Sequence, residues 1–398
     1  MRFAIFTGHY PPHIGGVERY VRELASGVTA RGHDCWIVTN NTDRAPAEEE
    51  NGGIRISRLP VWNLFSGYFP VTLPSWRLVR CLRALRRWRP DWVVTNTRFF
   101  PINVIAALAN DYLHGTKHLH IEHGSGHIGF PSSALTKCSR AYDRLAARLV
   151  VRKATLCVGV SRAAALFVET SSSRPCDGVL HNAVNAHDIA LSGTTFREEL
   201  GIGTGEIVFG FAGRLVHEKG VLEAMSAFRT VCRNRDPDRA PMRLVIAGAG
   251  PLEDEVARWA REDPAIHYLG QLKEKEMGIF YRTIDIFVYP TSCPEGFPTV
   301  ILESGAYRKL VITTERGSMR EAIPDASFGR IVPEHDRDAL VNAMADYALR
   351  CHELRPIGET LRNHVSSHFT WERTVLRFLD LVGAPPRGEG TTGEGHRP

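Results

Sequence analysis

Apolar positions along this chain gather into short, nearly continuous runs separated by longer amphipathic stretches. Such apolar runs predict strands that are buried on both faces of a parallel sheet. Stretches with an apolar residue every three or four positions predict helices between them. The alternation therefore indicates an α/β fold. The predicted strands lie at 3–7, 34–40, 92–96, 118–122 and 155–160, and in a second series at 207–212, 243–247, 266–269, 286–289 and 310–313.

A break in this alternation predicts the domain organisation. Between residues 185 and 205 the pattern gives way to Ser192-Gly-Thr-Thr and Gly201-Ile-Gly-Thr-Gly, which are typical of a linker. The chain has 398 residues, enough for two domains of ordinary size. We predict a first domain at 1–190, a second at 191–369, a final amphipathic helix at 370–383 that belongs with the first domain, and a disordered tail at 384–398.

Two carboxylates, Glu295 and Glu303, are separated by seven residues, and the first lies at a Gly/Pro-rich turn. Gly296 has no side chain, so the backbone of the turn can approach a ligand closely. If a helix begins near Pro298, Glu303 lies more than one turn along it. The two acids could then reach different hydroxyls of one elongated ligand, such as a sugar. The alternative is a loop glutamate and a solvated helix glutamate.

Two cations, Arg214 and Lys219, follow the predicted strand at 207–212 and precede a helical pattern that starts at Val221. A helix N-terminus carries a partial positive charge, and an arginine can bind phosphate oxygens with two parallel hydrogen bonds. This arrangement suits a diphosphate. The alternative is that Lys219 is an ordinary surface lysine.

With these two motifs the chain resembles the family 4 glycosyltransferases, which have the two-domain GT-B fold and transfer sugars from nucleotide donors with retention. The resemblance covers nearly the whole chain. Further short motifs fall in the family's order: Gly15-Gly16 before the first helical pattern, Arg31-Gly-His-Asp34, His123-Gly124, Gly159-Val160-Ser161, His181-Asn-Ala-Val-Asn185 and Ala247-Gly-Ala-Gly-Pro251. The resemblance implies two Rossmann-like domains facing a central cleft, with the donor nucleotide on the second domain and the acceptor mainly on the first.

The resemblance also implies roles for individual residues. Arg214 and Lys219 would stabilise the departing diphosphate without a metal ion. Glu295 would hold hydroxyls of the transferred sugar and Glu303 those of the ribose, while His123 would contact the sugar near the reacting carbon. The implied catalytic set is His123, Arg214, Lys219 and Glu295, and the implied donor-binding set is Gly15, Gly16, Arg214, Lys219, Gly296, Phe297, Pro298 and Glu303.

Retention in this family is attributed to front-face attack, in which the departing phosphate helps to deprotonate the acceptor hydroxyl. We therefore assign no carboxylate nucleophile, in contrast to the two-carboxylate hydrolases. We expect no metal, because Arg214 and Lys219 take the place of the ion, and no cofactor, because the UDP- or GDP-linked sugar is a substrate. The expected acceptor is a lipid-linked molecule or a polysaccharide. The competing functions are a GT-B nucleotide-sugar epimerase and a binding homologue that has lost turnover.

A group of histidines offers a competing metal site. Strand alternation places His118 and His120 on one sheet face, with His114 and His127 near them in sequence. Histidines on a strand face without a cysteine or carboxylate at ligand spacing are usually structural, and we favour that interpretation. The two Asp-x-Asp triplets, at 236–238 and 336–338, are interpreted as solvated loops.

Charge is divided unevenly along the chain. Residues 1–187 contain 23 basic and 13 acidic residues, a net charge of +10, whereas the remainder contains 26 and 31, a net charge of −5. One face of a predicted helix carries five arginines, Arg77, Arg80, Arg83, Arg86 and Arg87. We favour a solvated face on a sheet-packing helix, and the alternative is a docking face for an anionic membrane surface. No nucleic-acid partner is expected, because no aromatic-interleaved basic platform is present.

The remaining composition predicts a cytoplasmic protein. No apolar run approaches the ~20 residues of a membrane-spanning helix. The first residues match a strand and lack a signal-peptide pattern. The eight cysteines are scattered without Cys-x-x-Cys pairs, which favours reduced thiols. Peripheral attachment to the inner face of the membrane is the alternative that the arginine-rich helix leaves open.

Overall fold

The computed structural model describes residues 1–64, 69–127, 133–186, 189–234 and 241–384. These residues form two compact units, which divide after Asn182 and again after Thr370. The first unit contains the chain up to Asn182 together with the segment from Trp371, and the second unit is Ala183–Thr370. The predicted boundary was at residue 190. The predicted tail at 384–398, apart from Ala384, and the triplet at 236–238 lie outside the described residues.

The first unit is built on an eight-stranded sheet in the order β10-β9-β8-β7-β1-β2-β4-β3, with a separate β5-β6 hairpin. Every pairing in the large sheet is parallel except that of β3 with β4. The strands are β1 (Arg2–Phe6), β2 (Asp34–Asn40), β3 (Glu48–Asn51), β4 (Ile54–Leu59), β5 (Val61–Leu64), β6 (Phe69–Thr72), β7 (Trp92–Asn96), β8 (Lys117–Glu122), β9 (Leu156–Gly159) and β10 (Gly178–Val179).

The described part of this unit contains six helices: α1 (Gly16–Thr29), α2 (Trp76–Trp88), α3 (Pro101–Ala109), α4 (Ser133–Lys153), α5 (Arg162–Ser172) and, from the end of the chain, α13 (Trp371–Leu381). Helix α13 packs on the first unit through apolar side chains. The Phe378 ring lies 5.3 Å from that of Phe3, and the Val375 side chain lies so close to Gly27 that a Cβ there would meet it at 2.5 Å. The burial of this amphipathic helix supplies its stability.

The second unit is a six-stranded, fully parallel sheet in the order β13-β12-β11-β14-β15-β16. Its strands are β11 (Ile207–Ala212), β12 (Met242–Ala247), β13 (Ile266–Tyr268), β14 (Ile286–Tyr289), β15 (Leu310–Thr314) and β16 (Arg330–Val332). Its helices are α6 (Val221–Arg233), α7 (Glu253–Glu262), α8 (Glu274–Thr283), α9 (Thr299–Ala306), α10 (Met319–Ala322), α11 (Arg337–Leu349) and α12 (Cys351–His368), with a 3₁₀ turn at His217–Lys219.

The predicted α/β class with two parallel sheets is confirmed, and all ten predicted strands are present within two residues at each end. The prediction missed six further strands. Strand β4, Ile-Arg-Ile-Ser-Arg-Leu, alternates apolar and polar residues and is nevertheless largely buried between β2 and β3. Strand β3 is acidic and lies at the sheet edge, where charged side chains are common. Neither strand has the continuous apolar run that marked the others.

Candidate functional site

In the second unit, the two predicted motifs meet at the carboxyl ends of the neighbouring strands β11 and β14. Lys219 ends the 3₁₀ turn that follows β11, and its Nζ lies 2.6 Å from Oε1 of Glu295, in the loop after β14. The Tyr289 hydroxyl, from the last residue of β14, donates to the same carboxylate oxygen at 2.7 Å. Lys219 is therefore not an ordinary surface lysine, and Glu295 is not a solvated loop residue.

Backbone contacts fix the turn that carries Lys219. The carbonyl oxygen of Glu218 accepts hydrogen bonds from the Thr291 hydroxyl at 3.0 Å and from the Ser292 amide at 2.9 Å. Gly220 has a φ of +79°, and a Cβ there would lie 2.2 Å from the Pro290 carbonyl oxygen. Only glycine fits at this position without displacing the backbone. The loops after the two strands are thereby held against each other.

Burial and charge set the protonation of groups around this pair. Burial, followed by the charge of Glu295, raises the pKa of Tyr289 well above its usual value, so its hydroxyl stays a neutral donor. Burial likewise raises the pKa of the Cys293 thiol, on which the charges of Lys219, Glu295 and Arg214 also act. Arg214 is exposed and lies in the same cluster of charges.

Glu303 lies where the sequence predicted it. Pro298 is the residue before α9, and Glu303 stands in the second turn of that helix. Its Oε2 accepts a hydrogen bond of 2.7 Å from the Tyr281 hydroxyl. The Tyr281 ring stacks on Tyr307 at a centroid distance of 5.2 Å. Glu303 is half-buried, so the alternative of a fully solvated helix glutamate is wrong.

The three residues that follow Glu295 are buried. Gly296, Phe297 and Pro298 are each largely removed from solvent, and the Phe297 ring packs 5.1 Å from that of Phe369. This packing anchors the loop between β14 and α9. The family resemblance also implies hydrogen bonds from the backbone N–H groups of Gly296 and Phe297 to hydroxyls of the transferred sugar, which stay a prediction.

In the first unit, His123 follows β8 and is held by Asn96, the last residue of β7. Its Nε2 lies 3.1 Å from Asn96 Oδ1, while Asn96 Nδ2 donates to the Phe6 carbonyl at 3.2 Å. A carbonyl oxygen can only accept, so the Asn96 amide nitrogen must face Phe6 and its oxygen must face His123. His123 therefore carries its proton on Nε2 and presents Nδ1 as an acceptor.

The surroundings of His123 keep its imidazole neutral. Burial lowers the pKa of His123 to about 3, although the Glu122 charge acts in the opposite direction. The ring packs edge to face against Tyr20 at a centroid distance of 4.7 Å. The side chain is thus an oriented hydrogen-bonding group with no charge at neutral pH.

A buried ion cluster lies behind this turn. Arg98 Nη1 lies 2.7 Å from Glu122 Oε2, and Arg98 Nη2 lies 2.8 Å from Asp143 Oδ2. The Gly124 amide donates to Glu122 Oε1 at 2.8 Å, so the cluster also holds the backbone next to His123. Burial alone would raise the pKa of Glu122, but the Arg98 guanidinium holds it well below its usual range.

The histidines considered as a metal cluster have other partners. The Thr95 hydroxyl lies 2.8 Å from His118 Nε2 and 2.9 Å from His120 Nδ1. His127 Nδ1 lies 2.5 Å from Asp143 Oδ2, and His114 is exposed. The structural interpretation of His118 and His120 therefore fits their contacts.

Gly15 and Gly16 lie at the exposed N-terminus of α1, Gly15 as the residue before the helix and Gly16 as its first residue. The backbone N–H groups of a helix N-terminus are suited to an anion. The triplet at 336–338 is not a loop, because Asp336 accepts from the Ala339 amide at 2.9 Å and caps α11. Sequence reasoning missed Asn96, Arg98, Tyr281 and Tyr289, which no local pattern marks.

Two family models together match most of the chain. Glycosyltransferase Family 4 matches residues 14–185, and Glycosyl transferases group 1 matches residues 193–356. An uncharacterized glycosyltransferase of Methanocaldococcus jannaschii is 22% identical over 96% of this chain and 98% of the relative. The O-antigen chain mannosyltransferase C of Escherichia coli is also 22% identical, over 95% of this chain and 96% of the relative.

The fold is shared with solved glycosyltransferase structures. The Anabaena protein HepE, solved in complex with UDP, superposes with a TM-score of 0.76 over 96% of this chain and 100% of that one, at 16% identity. The chain therefore belongs to the group 1, family 4 glycosyltransferases of the GT-B fold. Within the described ranges, no helix combines the length and apolar character needed to cross a bilayer.

Proposed function

We propose that this glycosyltransferase moves a hexose from a nucleoside-diphosphate sugar to a hydroxyl of a lipid-linked or polysaccharide acceptor, with retention and without a metal ion. The observation that carries the proposal is the Lys219–Glu295 pair at the ends of β11 and β14. Ligands of open α/β sheets bind beyond the carboxyl ends of the strands. At that edge, a cation suits the diphosphate of the donor and a carboxylate suits the hydroxyl groups of its sugar.

Lys219 and Arg214 serve the diphosphate in this proposal. Their charges, with the N-terminus of α6 that follows Gly220, lie where negative charge grows as the leaving group departs. Preorganised cations stabilise that charge without a metal ion. The UDP complex of HepE supports a nucleoside diphosphate as the leaving group.

The two glutamates serve the hydroxyl groups. Glu295 accepts hydrogen bonds from the transferred sugar and Glu303 from the ribose, each steadied by a tyrosine hydroxyl. Glu295 is paired with Lys219 and is assigned to binding of the sugar. As the family resemblance implies, we assign retention to front-face attack, with the departing phosphate accepting the acceptor's proton.

His123 contributes hydrogen bonding and no charge. Its Nδ1, exposed as an acceptor by the Asn96 contact, would receive a hydrogen bond from a hydroxyl of the donor sugar. The acceptor class is proposed from the O-antigen relative and from the basic first unit. A basic protein surface is attracted to an anionic bilayer. Such attraction would hold the protein close to lipid-linked substrates.

A donor panel tests the function directly. The protein is incubated with UDP- and GDP-sugars, with and without lipid-diphosphate and glycan acceptors, and products are analysed by mass spectrometry and by NMR of the anomeric proton. We expect an acceptor-dependent product that keeps the donor's anomeric configuration. An epimer or free sugar formed without acceptor would indicate the epimerase, and donor binding without any product would indicate the binding homologue.

The same assay, repeated after exhaustive chelation, tests metal independence. We expect transfer to continue in the chelator. Complete loss that Mn²⁺ or Mg²⁺ restores would contradict the assignment of Arg214 and Lys219 to the diphosphate.

A further inference from the structure

Three potential metal ligands come together in the loop between β1 and α1, outside the chemistry described above. They are His9, His13 and Glu18, and one donor atom from each lies within 4.8 Å of the others. The imidazole rings of His9 and His13 stack at a centroid distance of 4.2 Å. The set joins the end of a strand to the first turn of the following helix.

Burial distinguishes this set from a chance surface cluster. His9 is 5% exposed and Glu18 is 6% exposed. The buried Nδ1 of His9 has no hydrogen-bond partner among the residues that the structure describes. Buried polar atoms are nearly always paired, so an unpaired imidazole nitrogen beside a buried carboxylate requires an explanation. A bound cation supplies one.

Asp43 provides the outer contact that metal-binding histidines commonly have. Its Oδ2 lies 3.5 Å from His13 Nδ1, which leaves the other ring nitrogen of His13 to bind an ion. Histidines that bind metals usually donate their second N–H to a carboxylate, which fixes the ring orientation. His13 and Asp43 are both about one-third exposed, so solvent and ions reach the cluster.

We propose that the β1–α1 loop binds one divalent transition metal, with Zn²⁺ as the best-suited ion, through His9, His13 and Glu18. Two imidazoles and one carboxylate form a set that Zn²⁺ takes together with a water molecule. Mg²⁺ and Ca²⁺ prefer oxygen ligands throughout and fit this set poorly.

The ion has a structural role in this proposal. It ties the end of β1 to the start of α1. It takes no part in sugar transfer, and the site does not depend on the proposed function. A chelator should therefore lower the thermal unfolding midpoint while transfer continues.

The test measures metal binding directly on the full chain. Protein stripped with a chelator is dialysed against buffered Zn²⁺, and Co²⁺ absorption reports the ligand set. We expect one ion per chain and a higher unfolding midpoint with Zn²⁺. His9→Gln and His13→Gln should each weaken binding at least tenfold, and Asp43→Asn about tenfold. The matched control is His114→Gln, at an exposed histidine of the same unit.

Two outcomes would overturn the proposal. One is the absence of stoichiometric Zn²⁺ binding by the wild-type chain. The other is unchanged affinity in His13→Gln, which would place the ion elsewhere, for example on the exposed thiols of Cys138 or Cys351. His13 is partly exposed, so its variant should fold even if His9→Gln does not, and circular dichroism checks this.

Discussion

Each unit has a charged cluster, in which a cation pairs with carboxylate groups, near the carboxyl ends of its parallel strands. The two clusters differ in their exposure to solvent. In the first unit the side chains of Arg98, Glu122 and Asp143 are 3%, 0% and 2% exposed. In the second unit those of Lys219 and Glu295 are both 16% exposed. The first cluster is closed to solvent, and the second remains reachable.

This difference separates charges that hold the fold from charges that can serve a ligand. Arg98 satisfies two buried carboxylates at once, and removing it would leave uncompensated charge in a region of low dielectric constant. Lys219 has one carboxylate and one neutral tyrosine near it, so an anionic ligand can share its charge. The comparison predicts that changes in the first cluster affect stability and changes in the second affect turnover.

The largest expected effect is on stability. Arg98→Met should lower the free energy of unfolding by about 3–5 kcal/mol, because it breaks a buried ion cluster from one side. Urea unfolding measures the change, and Arg80→Met, at an exposed arginine of α2, is the control. A loss below about 1 kcal/mol in Arg98→Met would show that the buried cluster does not hold the fold.

The next effect is on turnover. Lys219→Ala should cost about 2–4 kcal/mol of transition-state stabilisation, by analogy with the loss of one preorganised donor in an oxyanion site. Steady-state kinetics measure the loss in kcat/KM, and Lys275→Ala, at an exposed lysine of α8, is the control. Arg214→Ala should behave similarly. Near-wild-type turnover in either variant would remove the basis for the diphosphate assignment.

A third effect is the pH dependence of stability in the first unit. Burial lowers the pKa of His118 to about 3, below the ordinary value of 6.5. As pH falls below 6.5 the unfolded chain binds a proton that the folded chain does not, so stability is full above pH 6.5 and declines towards pH 3. The expected slope for this group is about 1.4 kcal/mol per pH unit.

Urea unfolding between pH 7.5 and pH 5 measures this slope in the wild type and in two variants. His118→Gln should reduce the decline, and His114→Gln, at an exposed position, should leave it unchanged. An equal decline in both variants would mean that His118 does not stay neutral in the folded chain.

The smallest expected effect per residue is on the free energy of membrane binding by the arginine face of α2. All five arginines are exposed, while Leu85 is buried in the core of the sheet, as expected for a sheet-packing helix. Trp76, 63% exposed, lies beside them with the Arg83 guanidinium 5.1 Å from its ring centroid. If this face also docks on an anionic bilayer, binding to anionic vesicles should be sensitive to salt, with about 1 kcal/mol from each arginine near the surface.

Vesicle flotation at low and high salt tests this surface. The triple change of Arg80, Arg83 and Arg87 to Gln should weaken binding strongly. The matched control replaces three exposed arginines of the second unit with Gln. These arginines are Arg233, Arg258 and Arg261. Unbound protein at low salt, or equal binding by the two triple variants, would mean that the arginine face is only solvated and would favour a soluble acceptor.

The sequence by itself determined the two α/β series and the location of the charged motifs at strand ends. Continuous apolar runs marked the buried parallel strands, and Gly220 marked the turn that places Lys219. These signals are local, because each depends on neighbouring residues in one segment. The acidic edge strand β3 and the alternating strand β4 had no such signal and were missed.

The tertiary structure alone decided the partners of those motifs. Glu295 meets Lys219 across two strands, Glu303 meets Tyr281 across two helices, and Asn96 fixes the proton of His123 from the neighbouring strand. The proposed metal ligands His9 and Glu18 are likewise brought together by the path of one loop. Contacts of this kind join residues that no helical or strand periodicity in the sequence relates to each other. Their strength depends on burial, and the side chains become buried only once the sheets have formed.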